Sequence, residues 1–223
     1  MQIRKDSLVN DQYYHVFSRS IAKFVVFNDT QEFSRMQDIL KLYRYFNFDY
    51  KYSRFMKLDP DSQLKIENFL EKENSLLVEI VAYCLMPTHI HLILKQVQNK
   101  GISHFMAKIL NSYSRYFNLT HKRIGPLWAG RFKSVLILTD DQLLHLTRYI
   151  HLNPTSANLV KKSEKWPFSS YQEYINRKKK GFCNFSDVVP LSASSYKKFV
   201  SDRVSYQKEL SIIKRIIIDN YTG

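Results

Sequence analysis

The sequence predicts an α+β fold of ferredoxin-like type, an antiparallel sheet with helices packed on it, and three observations predict it. Short β-rich runs alternate with segments of helical apolar spacing in the order β α β β α β α. Two of the β-rich runs adjoin across Pro87 like a hairpin, while the others are separated by whole helices. Hairpin and crossover links mixed in this way belong to split β-α-β sheets. Finally, 223 residues of which 44% are hydrophobic suffice for a real core.

The elements follow in order. The run "QYYHVFSRS" at 12–20 alternates as a strand, and "TQEFSRMQDILKLYRYF" sets Phe33, Met36, Ile39, Leu40 and Tyr43 on one helical face behind a Thr30 cap. "KLDPDSQLKIENFLEKEN" is polar and charged, a loop or a short exposed helix. "SLLVEIVAYCLMP" and "HIHLILKQV" read as neighbouring strands joined by a tight turn. An amphipathic helix follows, with Ile102, Phe105, Met106, Ile109, Leu110, Tyr113 and Phe117 at i, i+3, i+4, i+7 spacing. "GRFKSVLILTD" is a further strand, and "TDDQLLHLTRYIHLN" opens on a Thr139-x-x-Gln142 capping box and is expected to end against Pro154. Beyond "WPFSSYQEY" the composition shifts to the basic "NRKKKG", then to a helical region that includes "KRIIID".

Lys and Arg number 34 against 20 acidic residues, a net charge of +14, alongside 15 Tyr and 15 Phe. A basic surface interleaved with aromatic rings suits a polyanion whose bases can stack, and single-stranded nucleic acid is the usual partner of that kind. The two cysteines, Cys84 and Cys183, form no CxxC pair, so neither a disulfide framework nor a zinc knuckle is expected. The greasiest stretch is short and carries Glu79, so no membrane span is expected and the chain is read as cytoplasmic.

Chemistry concentrates in "THIHL". Side chains alternate along a strand, so His89 and His91 share one face while Ile90 and Leu92 take the other. Such a pair is either a two-nitrogen clamp for a divalent metal or two histidines satisfied on a sheet face. In "RYIHLNP", Tyr149 and Asn153 lie at i and i+4 beside the apolar stripe Leu143, Leu146, Ile150, which would aim both polar tips at the sheet. Taken singly, Tyr149 reads as a core-edge tyrosine and Asn153 as a C-terminal cap before Pro154. His15, His104, His121 and His145 read as structural histidines.

Six separated stretches, "YYHVFSRSI", "MPTHIHLIL", "NSYSRYFN", "GPLWAGRFK", "YIHLNP" and "WPFSSY", resemble, in order over residues 13–174, the IS200/IS605-type HUH single-tyrosine transposases, and within them the REP-associated tyrosine transposases. The resemblance implies the ferredoxin-like HUH nuclease fold for a catalytic domain at 1–175, with 176–223 a basic linker and helical C-terminal extension. It implies Tyr149 as nucleophile and His89, His91 and Asn153 as ligands of Mg²⁺ or Mn²⁺; His151, rotated away from Tyr149 on the helix, is not carried over. The insertion-sequence branch has Gln where Asn153 stands, which favours the REP-associated branch.

The activity so implied is metal-dependent cleavage and rejoining of single-stranded or hairpin DNA through a 5′-phosphotyrosine link, by a monomer or homodimer. Lys108, Arg115, Lys122, Arg123, Arg131 and Lys133 are the candidate phosphate contacts, and Trp128 is either a base-stacking ring or a packed indole. Two other readings remain open: a replication-initiator or relaxase-type nicking enzyme, and a domesticated regulator that binds hairpins without cutting.

Overall fold

Four antiparallel strands, β1 (Tyr13–Arg19), β2 (Val78–Met86), β3 (His89–Gln96) and β4 (Lys133–Leu136), form one sheet in the order β2-β3-β1-β4. The computed structural model describes residues 7–176 and 181–202. Helices α1 (Thr30–Tyr43), α2 (Tyr52–Phe55) and α3 (Pro60–Glu73) lie between β1 and β2; α4 (Gly101–Thr120) joins β3 to β4. After β4 come α5 (Asp140–Ser156), α6 (Tyr171–Ile175) and α7 (Ala193–Ser201). This is the predicted order, with β1 central as a split β-α-β sheet requires.

Strand alternation divides the molecule into two cores. Tyr14, Val16, Ile90, Leu92 and Leu94 bury one sheet face against α1 and α4. Cys84, Met86 and Ile93 bury the other with Leu146, Tyr149 and Ile150 of α5. A bulge in β2 lies between Ile80, opposite Leu94, and Ala82, opposite Ile93. The extra residue reverses the alternation, so that Val78 and Ile80 belong to the first core but Ala82, Cys84 and Met86 to the second. Without it, the end of β2 beside the histidines would present the opposite side chains.

Several boundaries differ from expectation for local reasons. Helix α1 is capped by Asp29, whose carboxylate accepts from Glu32 N at 2.9 Å, not by Thr30. The polar segment after α2 forms a 14-residue helix because Asp59 caps it and Pro60 occupies its first turn. Thr139 caps α5 as predicted, but Gln142 reaches back to Leu138 N at 3.0 Å. Helix α5 does not stop at Pro154: it continues to Ser156, and Ala157 N donates to Asn153 O at 2.9 Å. The proline removes one N–H from the ladder without breaking it.

"WPFSSY" lies along β2: Leu85 N donates to Phe168 O at 2.9 Å and Ser170 N to Tyr83 O at 3.0 Å. Of the region after 175, residues 176 and 181–202 are described, and α7 buries Tyr196 and Val200 in the second core. Residues 177–180 of "NRKKKG" and the "KRIIID" stretch lie outside the described residues. No described helix is long and apolar enough to cross a membrane.

Candidate active site

Strand β3 carries His89 and His91 on the α5 face, between Arg19 and Phe17 of β1 on one side and Met86 and Cys84 of β2 on the other. Their rings meet edge to face at 4.9 Å. Thr88 Oγ1 lies 2.9 Å from His89 Nδ1, which fixes that ring at the mouth of the site. His91 is fully buried, stacked on Phe17 at 6.0 Å, with its Nδ1 3.0 Å from His15 Nε2. Burial, and then the neighbouring His89, His15 and Arg19, hold His91 well below the ordinary imidazole range. A neutral ring is the form that can donate a lone pair to a metal.

Above this face lies α5, pinned by Leu143, Leu146 and Ile150, all buried. That stripe turns Tyr149 onto the histidines: its ring stands edge-on to His91 at 6.1 Å and to His15 at 6.5 Å, and it is only 6% exposed. One turn later, Asn153 lines the same cleft as His89. The cleft encloses about 520 Å³, with Arg19 and Lys23 on its β1 side and Ser156 on its α5 side.

The loop after β1 adds a feature with an energetic cost. Ala22 (φ 49°) and Lys23 (φ 56°) are consecutive non-glycine residues in the left-handed region, each costing about 1–2 kcal/mol. The chain holds them there by tying both ends of the loop down: Ser20 N donates to Thr88 O (2.9 Å), Ile21 N to Leu127 O (3.0 Å) and Val26 N to Pro87 O (2.8 Å).

The donor set fits a divalent cation in one way. No group of three or more His, Cys, Asp or Glu side chains gathers as a metal site among the described residues, so a third protein ligand would be the Asn153 amide. Asn153 Nδ2 has no hydrogen-bond partner among the described residues, although the side chain is buried. An amide set that way beside His89 is free to turn its oxygen to an ion. Two imidazoles and one amide oxygen with open positions suit Mg²⁺ or Mn²⁺ better than a closed structural zinc site.

Residues 46–153, which contain the two histidines, Tyr149 and Asn153, match the family model described as "Transposase IS200 like". Over those residues the chain is similar to the IS200-like transposases. A REP-associated tyrosine transposase of Haemophilus influenzae is 31% identical over 107 residues, covering 44% of this chain and 61% of that protein. A structure of a REP-associated tyrosine transposase bound to a REP hairpin superimposes with a TM-score of 0.52 at 16% identity, over 86% of this chain and 96% of that one. It shares the fold. A Deinococcus radiodurans protein described as a transposase, at TM-score 0.36 and 15% identity over 67% of this chain and 95% of that one, is a more distant likeness.

The fold brings together His89, His91, Tyr149 and Asn153, but it scatters the candidate DNA contacts. Lys108 and Arg115 lie on α4, the layer opposite α5, and Lys108 Nζ donates to Phe48 O at 3.3 Å. Lys122 follows α4; Arg123 braces the next loop by donating to Pro126 O at 2.9 Å. Arg131 is exposed in the loop entering β4, and Lys133 pairs with Phe17 on the histidine face. Trp128 corrects the stacking expectation: it is 8% exposed, donates through Nε1 to Leu110 O at 3.3 Å and packs near Tyr113. A ring held so has no open face for a base.

Sequence reasoning undervalued His15, which the alternation of β1 sets on the same face as His91, and missed Arg19 and Lys23. Register was the signal for His15; the left-handed loop had none. His145 turns away from the site to Asp141 (3.4 Å) and Phe199. His151 points to α6 and α7, hydrogen-bonded to Ser170 Oγ and the Tyr196 hydroxyl.

Proposed function

We propose that this chain cleaves and rejoins single-stranded DNA at a hairpin, with Tyr149 as the nucleophile, and that His89, His91 and Asn153 hold a Mg²⁺ or Mn²⁺ ion. The observation that carries the reading is the edge-on stance of Tyr149 over His91 at 6.1 Å, with Asn153 one turn further along in the cleft of His89. The family match and the hairpin bound by a relative of the same fold support the substrate class.

Tyr149 Oη attacks the scissile phosphorus, the bond to the 3′ oxygen breaks, and the DNA 5′ end is left as a phosphotyrosine. The phenol loses one proton and the departing 3′ oxygen gains one, so the step is neutral in protons. A free phenol has a pKa near 10, so only about a thousandth is ionised at neutral pH. When bound, the cation would polarise the phosphate and gather its developing charge. Leu143, Leu146 and Ile150 hold the helix so that the phenol needs no search for its target. The link conserves the energy of the phosphodiester, so a second 3′ hydroxyl can reverse the step onto another strand.

The test is incubation with labelled hairpin oligonucleotides from the flanks of the protein's own gene, with Mn²⁺ or with EDTA, then a denaturing gel. A metal-dependent, protease-sensitive shifted band that Tyr149→Phe lacks is the expected result. Tight binding without any covalent band would instead establish a hairpin-binding regulator. A band that persists in Tyr149→Phe would assign the nucleophile elsewhere.

A further inference from the structure

The loop between β1 and α1 has no role in the chemistry above, yet it forms one wall of the cleft. Its base is anchored to the turn that precedes His89, through Ser20 N to Thr88 O and Val26 N to Pro87 O, so its position is fixed relative to the histidines. Its tip is the reverse of buried: Ile21, Phe24 and Val25 are 37%, 45% and 42% exposed. Three large apolar side chains in five residues, left in water beside a cleft, are an unusual use of surface.

Positive charge surrounds them. Arg19 and Lys23 line the cleft, Lys23 being presented by the left-handed backbone, and the Arg123 guanidinium sits 5.4 Å from the Phe24 ring centroid. Phe24 is also held edge to face by Phe117 at 5.9 Å, so the ring is braced from below. A half-exposed aromatic ring braced by Phe117, with a guanidinium over it and a cleft-lining lysine next to it in the chain, is an arrangement that stacks an unpaired base while its phosphates are neutralised. Aliphatic burial against a protein partner would not call for the cations.

We propose that Phe24, with Lys23 and Arg123, forms a subsite for an unpaired nucleobase of the single strand next to the scissile phosphate. The inference rests on the proposed DNA-cleaving function and supplies the stacking ring that the buried Trp128 does not. Lys23 holds the phosphate on the cleft side of that base, and Arg123 the ring face.

The test uses full-length Tyr149→Phe protein, so that binding is read without cleavage, and a hairpin oligonucleotide with a single-stranded tail in which 2-aminopurine is moved one position at a time. One tail position should lose fluorescence on binding. Phe24→Leu, which keeps the contact with Phe117, should abolish that quenching and weaken binding about tenfold, within the range for a base stacked on an aromatic ring. Phe24→Tyr should restore both. An abasic tail at the quenched position should weaken binding by the unaltered loop but not by Phe24→Leu.

Quenching and affinity unchanged on adding Phe24→Leu, while the parent protein with Tyr149 intact still forms its covalent band, would overturn the subsite and leave the proposed function standing. Absence of binding to any hairpin would remove both. A change in oligomeric state in Phe24→Leu, with oligonucleotide affinity unaltered, would reassign the apolar tip to a contact between two copies of the chain.

Discussion

His15 Nε2 lies 3.0 Å from His91 Nδ1, so the first strand of the sheet grips the second histidine of the HxH pair from behind. If a metal takes His91 through Nε2, the Nδ1 proton must be donated, and His15 is the group placed to accept it. Partners of this type fix the tautomer and ring orientation of a ligand, and losing one typically costs about 10–100-fold in metal affinity. His15→Ala is therefore expected to weaken Mn²⁺ binding by about that factor in calorimetry on protein without DNA. His15→Gln, which keeps an acceptor, should recover part of it; equal affinities in all three proteins would make His15 a packing residue.

The placement of Trp128 makes a prediction opposite in kind. Its indole donates to Leu110 O and fills space beside Tyr113, so Trp128→Phe should lower stability by about 1–2 kcal/mol. Because a packed ring contributes no stacked base, hairpin affinity should stay within about threefold of the parent. A large loss of affinity with unchanged stability, measured by denaturant titration and fluorescence anisotropy, would return Trp128 to the DNA surface.

The contrast between His89 and Trp128 shows what was legible. Periodicity alone sets His89 and His91 on one face, and the Leu143, Leu146, Ile150 stripe aims Tyr149 and Asn153 at it, because those relations are fixed by helix and strand geometry within single elements. The roles of His15 and Trp128 depend on which strand lies beside which, and that pairing is a tertiary fact. The β2 bulge and the left-handed pair Ala22 and Lys23 are less legible still, since neither position holds the glycine that usually marks such backbone.

Charge on the two layers gives a third prediction. Each phosphate contact to a single strand contributes about 0.7 to the slope of log affinity against log salt. Lys23→Gln and Arg19→Gln, at residues that line the cleft, should each reduce the slope by about that much. Lys108→Gln should not, because its ammonium faces Phe48 O on the α4 layer. A strand wrapped around both layers would be revealed by an equal loss in all three variants.

The last prediction concerns the back of α5. His151 Nδ1 lies 2.7 Å from the Tyr196 hydroxyl and Nε2 2.8 Å from Ser170 Oγ, and the Tyr196 hydroxyl also donates to Thr147 Oγ1 at 2.9 Å. This buried network ties α7 and the start of α6 to the helix that carries Tyr149. Burial alone pushes His151 down to about 3, against an ordinary value near 6.5. Its neutral form is therefore favoured in the folded chain, so the unfolded chain binds more protons between those two values. The stability it contributes is fully present above pH 6.5 and is lost as pH falls towards 3. Glu173 and Asp38, whose carboxyls burial raises, act in the opposite direction at acidic pH, so the diagnostic quantity is a difference between proteins. His151→Gln, which keeps two polar contacts but cannot be protonated, should lower stability at pH 7.5 and flatten its decline between pH 6.5 and 4.5 in thermal unfolding of metal-free protein. Tyr196→Phe should cost about 1–3 kcal/mol at pH 7.5 by leaving Thr147 and His151 short of a partner. A parallel decline in parent and His151→Gln would show that the histidine is not the group that titrates.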